Sequence, residues 1–149
     1  MSLKEKIYLQ YVLLISQKIQ QLEQVLADLK ESGANETKST AGDKHETALA
    51  MLQIEQANKR AQLLELQEQK ASLNRINPTL TPAVIVPGSL IKTNKGYFFM
   101  STALGKISFE GQTVIALSPQ SPLGKKLIGN KAGDTAAVNG IEYLIEKIC

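Results

Sequence analysis

The stretch Asn35-Glu36-Thr37-Lys38-Ser39-Thr40-Ala41-Gly42-Asp43-Lys44-His45-Glu46-Thr47 decides how the rest of the chain is read. It is polar throughout and lies between two long segments free of strong helix breakers. All five prolines fall at Pro78 or later, and the only glycines of the first half, Gly33 and Gly42, lie beside this bend. Two uninterrupted segments on either side of a polar bend read as helices joined by a tip.

Upstream of the bend, Tyr8, Val12, Ile15, Ile19, Leu22, Leu26 and Leu29 recur at alternating intervals of four and three. That spacing is the seam of a coiled coil rather than the broader stripe of a helix lying on a globule. Downstream, Ala50, Ile54, Ala57, Ala61, Leu64 and Ala71 follow the same rule with one break at Glu68, and their small side chains suit close packing on the bulky first seam. The expected structure is an antiparallel hairpin over 1–76 with its tip near 35–47. About 30 residues per arm at ~1.5 Å each give a rod of roughly 45 Å, longer than a core helix needs to be in so small a protein.

Near Pro78 the composition changes to one rich in glycine, proline and β-branched residues, which places a second domain at 77–149. The first part carries ten basic and ten acidic side chains and the second seven and four, so the net +3 resides in the second. With no Trp and with scattered Lys and Arg, direct sequence-specific DNA binding is not expected. The single cysteine, Cys149, excludes an intramolecular disulfide framework and a cysteine-based zinc cluster, and a cytoplasmic location is the default. The heptad phase runs through the apolar start without a small-residue cleavage site, and no run approaches the ~20 apolar residues of a membrane span.

In the second part, strands are expected at Ala83–Val86, Ser89–Thr93, Gly96–Ser101, Thr113–Leu117, Thr135–Val138 and Ile141–Ile148, separated by turn signals that include Asn94-Lys95-Gly96, Glu110-Gly111 and Asn139-Gly140. Between them, Ser121 suits the cap of a short helix that Pro122 begins and that closes near Gly129. The class is α+β, with a mostly antiparallel sheet and one short helix.

The run Ser121-Pro122-Leu123-Gly124-Lys125-Lys126-Leu127-Ile128-Gly129, followed by Lys131, Gly133-Asp134 and Glu142-Tyr143-Leu144-Ile145, resembles the C-terminal signature of the Gre family of bacterial transcript-cleavage factors. The tip segment Gly42-Asp43-Lys44-His45-Glu46 is similar to that family's Gly-Asp-x-x-Glu. The resemblance implies an FKBP-like second domain that docks on RNA polymerase through Ser121, Pro122, Leu123, Gly124, Lys125 and Lys126. It also implies a coiled coil that enters the secondary channel. The factor would not be an enzyme itself. It would stimulate the polymerase's own cleavage of backtracked RNA, meeting the RNA 3′ end only within that complex. Such hydrolysis uses two metal ions ~4 Å apart, and Asp43 with Glu46 would help hold the second Mg2+, which is shared with the polymerase and not stably bound by the chain alone. Lys44 and His45 would be tip contacts without a catalytic role. A related regulator that occupies the channel without stimulating cleavage is the alternative, because Thr47, Ala48 and Leu49 stand where acidic and aromatic residues often follow the tip Glu. A coiled-coil scaffold or homodimer is a third.

Each feature also has a purely structural reading. Acidic residues in a first helical turn complement the dipole, and Thr40 with Asp43 approximates a capping box. Leu123, Leu127 and Ile128 read as core and Lys125 and Lys126 as a solvated face. Prolyl isomerisation, a rival suggested by the FKBP-like fold, needs an aromatic pocket, whereas Tyr97, Phe98, Phe99, Phe109 and Tyr143 read as core residues on strands.

Overall fold

The computed structural model describes the backbone of residues 1–37 and 43–149 and the side chains of residues 1–34 and 46–149. Two long helices come first, α1 (Leu3–Thr37) and α2 (Asp43–Asn74). At ~1.5 Å per residue each is about 50 Å long. Ser2 caps α1: the Glu5 amide donates to Ser2 Oγ at 3.2 Å and the hydroxyl donates back to the Glu5 carboxylate at 3.2 Å, a Ser-x-x-Glu start. After the helices come β1 (Leu90–Thr93), β2 (Gly96–Met100), β3 (Gly105–Phe109), β4 (Gln112–Leu117), α3 (Pro122–Leu127), β5 (Thr135–Val138) and β6 (Ile141–Ile148). The fold is α+β.

The chain divides into two compact units: Leu14–Lys70, and Met1–Leu13 together with Ala71–Cys149. In the first unit the helices touch, because a methyl group added at Gly33 would meet Gln56 Nε2 at 3.9 Å. At the start of α1, in the second unit, the Tyr8 hydroxyl donates to the Leu73 carbonyl near the end of α2 at 3.0 Å, so the two helices run antiparallel.

Along α1 every expected seam residue is at least half-buried, with Ile15 and Ile19 buried outright. On α2 the phase differs from the expected one. Ala50, Ile54, Ala57, Ala61, Leu64 and Ala71 are all exposed, Ile54 to 63% and Leu64 to 57%. The shielded positions include Leu49, Leu52, Gln56, Lys59, Leu63, Leu66, Lys70 and Leu73, an unbroken alternation of three and four, with Ala48, Gln69 and Ser72 half-buried beside them. Leucine dominates this seam, and burial of its larger side chains outweighs that of the alanine-rich alternative. The polar members are accommodated because their aliphatic stems cover the apolar seam while their heads reach water.

The second unit is a six-stranded sheet in the order β3-β4-β2-β1-β6-β5. Its neighbours pair antiparallel except β2 and β4, which run parallel with Tyr97 opposite Val114 and Met100 opposite Leu117, so the sheet is mostly antiparallel, as expected, with one parallel pair. The cause is β3, which the sequence reading did not identify. It leaves a gap beside β2, into which β4 folds back through a two-residue turn at Glu110-Gly111 with φ of 49° and 77°. The Asn139-Gly140 hairpin forms as expected, with φ of 52° and 77°. Ala83–Val86 is not a strand. It lies between Pro82 and Pro87, and of its residues Ile85 bonds across to the chain after α3, accepting from Gly129 and donating to Asn130, both at 2.8 Å.

Alternate residues of β2 serve the two faces of the sheet. Phe98 and Met100 join Ile85, Ile91, Leu117, Leu127, Ala136 and Ile145 in a cluster under α3. Phe99 faces the first turns of α1, stacking on Tyr11 with centroids 5.8 Å apart and meeting Tyr8 edge-on at 6.5 Å. The buried Tyr11 hydroxyl lies 2.9 Å from the Gly105 carbonyl and 3.1 Å from that of Val114, which ties α1 to the β3-β4 pair. Burial pushes its pKa up to about 12, with a bond from the Ala116 backbone opposing. Lys4 is buried as well, its ammonium donating to Leu80 O at 2.6 Å and to the main-chain oxygen of Cys149 at 3.0 Å. Desolvation lowers its pKa below the usual lysine value, partly offset by negative charge at Cys149.

Candidate functional site

The residues singled out in the sequence fall at two places, the start of α2 and the helix α3. At the first, the α2 backbone begins at Asp43, so Asp43 and Glu46 stand three positions apart in its first turn. Glu46 is exposed. The side chains of Asp43, Lys44 and His45, and the proposed cap Thr40, lie outside the described residues. Beyond Glu46, Thr47 is exposed, whereas Ala48 and Leu49 are half-buried and Leu49 opens the α2 seam.

A pair of carboxylates at i and i+3 offers hard oxygen donors, which suit Mg2+ or Ca2+ but supply only part of a six-oxygen shell. Among the described residues no group of three or more His, Cys, Asp or Glu side chains comes together to hold a metal. Asp43 and Glu46 are of the residue types that supply such oxygen donors.

At the second place the local structure is specified almost atom by atom. Ser121 is the cap of α3: it is extended at φ −66° and ψ 158°, its Oγ accepts from the Gly124 amide at 3.0 Å, and Pro122 occupies the first turn. The same Oγ donates to the Ser118 carbonyl at 2.7 Å, and the Ser121 amide donates to that carbonyl at 3.0 Å. This doubly held carbonyl points at Gly124. A Cβ there would lie 2.9 Å from the Ser118 carbonyl carbon and 2.8 Å from Ser121 Oγ, and closer still to the Ser118 oxygen, so glycine is required. Gly124 and Leu127 are buried, and Leu123 packs partly against the cluster beneath. The helix stops where the Asn130 amide side chain donates to Lys126 O at 2.9 Å and Gly129 turns at φ +82°. Past it, Asp134 accepts from the Lys131 amide at 2.9 Å, and the Asp134 carbonyl accepts from Ile145 at 2.9 Å.

Of the six residues expected to meet a partner, Ser121, Leu123 and Gly124 are thus engaged in building the element, while Pro122, Lys125 and Lys126 are exposed. Ser118 was missed in the sequence. The repeated Ser-Pro of Ser118-Pro119 and Ser121-Pro122 is the signal that marks it.

The class defined by these elements is an α+β protein in which a long helical hairpin precedes a mixed sheet carrying one short helix. Among the described residues no helix is long and apolar enough to cross a membrane. No protein-family model and no curated protein matches the chain. A solved structure described as that of the transcription factor Gfh1 aligns with 90% of this chain and 90% of its own, at 16% identity and a TM-score of 0.35. Neither value is high enough to define a common fold.

Proposed function

We propose that this chain is a Gre-like accessory factor of RNA polymerase. It docks through the exposed face of α3, passes the hairpin into the secondary channel and lends Asp43 and Glu46 to the polymerase's cleavage of backtracked RNA. The observation that carries the reading is the start of α2 at Asp43, which sets both carboxylate positions in the first turn of a helix about 50 Å long. The sequence resemblance at Gly42–Glu46 and Ser121–Gly129 supports it.

In this reading Asp43 and Glu46 act as ionised oxygen donors. When bound, the second Mg2+ neutralises charge at the scissile phosphate and polarises the attacking water. Pro122, Lys125 and Lys126 form the docking face, held at fixed spacing by the Ser118-Ser121-Gly124 lock.

The decisive measurement is RNA cleavage in a halted elongation complex. Asp43→Asn and Glu46→Gln each abolish stimulation while polymerase binding persists. Unchanged cleavage in both variants overturns the carboxylate role, and inhibition that ignores both acids selects the channel regulator instead.

A further inference from the structure

The outer face of α2 differs from that of α1. Taking the shielded seam of each helix as its a and d positions, the stripe facing away on α1 runs through Gln10, Leu13, Gln17, Gln20, Gln24 and Ala27, mostly polar with Leu13 exposed to 55%. The equivalent outward stripe on α2 is Ala50, Ile54, Ala57, Ala61 and Leu64, with Met51 alongside. Its large members are more than half exposed: Met51 65%, Ile54 63% and Leu64 57%. Their spacing of four, three, four and three is itself a coiled-coil seam, so α2 carries two seams, of which only one is covered among the described residues.

We propose that a second copy of this chain occupies the outer seam, with the two α2 helices parallel and in register. Charge complementarity selects both the occupant and the direction. The flanks of the outer seam are Gln53, Arg60 and Gln67 on one side and Met51, Asn58 and Glu65 on the other. In a parallel pair each residue of the first flank meets the residue five later on the partner, which brings Arg60 of each copy to Glu65 of the other. An antiparallel pair sets each flank against itself and forms no ion pair. Glu68, next in the stripe, would meet its own like charge, so the contact ends near Leu64 after about two heptads and the dimer is weak. Alanine at three of the five positions lets the helices approach closely.

Sedimentation equilibrium on the full chain tests this. The weight-average mass should climb from 16.2 kDa towards twice that value as the protein is concentrated, to on the order of 1 mM for a contact of this size. Ile54→Gln with Leu64→Gln should weaken association at least about tenfold with unchanged helix content, since both residues are exposed. Arg60→Glu should weaken it similarly and Arg60→Glu with Glu65→Arg should restore it, because the pair reverses across a parallel interface. A wild type that stays monomeric overturns the proposal, as does association indifferent to Ile54 and Leu64. Charge reversal without effect overturns the parallel arrangement. These outcomes are independent of RNA cleavage, so failure here leaves the polymerase reading standing.

Discussion

Replacing Gly124 by alanine separates two physical arguments that differ in sign. Gly124 lies within α3, where helix propensity alone favours alanine by about 1 kcal/mol. The structure opposes this. The new methyl carbon would stand 2.8 Å from Ser121 Oγ and 2.9 Å from the Ser118 carbonyl carbon, and that carbonyl is fixed by two bonds from Ser121. Backbone must therefore move. Overpacking of this kind costs ~1–3 kcal/mol, and a displaced helix start loses much of the Ser121 cap, about 1 kcal/mol more. After the propensity gain, the net expectation is a loss of about 2 kcal/mol, or a fall in urea midpoint of roughly 1 M. All four tyrosines, Tyr8, Tyr11, Tyr97 and Tyr143, belong to the sheet-bearing unit and the chain has no Trp, so tyrosine fluorescence reads that unit alone. Gly129→Ala is the comparison. It has a positive φ but nothing within 4 Å of the added methyl, and should lose only about 1 kcal/mol. A Gly124→Ala protein as stable as wild type, or more stable than Gly129→Ala, would refute the claim that the Ser118 carbonyl dictates glycine.

In halted elongation complexes, Asp43→Asn and Glu46→Gln should each reduce RNA cleavage by at least about tenfold, the loss of one charged ligand contact, while leaving polymerase binding intact. Tyr11→Phe should cost roughly 1–2 kcal/mol at pH 7 through the lost hydroxyl bonds. Because the folded pKa of Tyr11 is raised to about 12 from 10.0, its extra stability is full below pH 10 and fades as pH rises to about 12, a change of about 2 kcal/mol. The gap between wild type and variant in urea midpoints should therefore narrow over that range, and a constant gap contradicts the assignment. Gln56→Leu places an apolar side chain in the half-buried α2 seam beside Gly33 and should raise hairpin stability by about 1 kcal/mol in thermal melts followed at the helix signal. A lowered melting temperature would show that Gln56 is needed there.

The sequence was most legible where the chemistry is local. The α1 seam could be read because each of its positions from Tyr8 to Leu29 is apolar. The α2 seam could not, because Gln56, Lys59 and Lys70 occupy inward positions while Ile54 and Leu64 face out, so counting apolar residues picks the wrong stripe. Among the strands, β3 offered only Ile107 and Phe109 as apolar members and passed unnoticed, whereas Ala83–Val86 has strand-like composition but is flanked by prolines. At the candidate site, the cap formed by Ser121 and Pro122 was readable from residue type. The need for glycine at 124 was not, since it arises from the position of the Ser118 carbonyl. Tyr11 and Lys4 were equally opaque as anchors: their partners lie 76 to 145 residues away along the chain.

Lys4, Tyr8 and Tyr11 join the sheet-bearing unit although some sixty residues separate them from the rest of it. In folding terms Leu14–Lys70 is an insertion, and the unit around it cannot close until the chain has gone out along one arm and returned along the other. Arm length is set mostly by residues that the sheet-bearing unit does not contain. Deleting a matched heptad from each helix preserves the seam phase and shortens the hairpin by about 10 Å. A series of such deletions would serve as a ruler for the depth that the proposed entry into the polymerase channel requires.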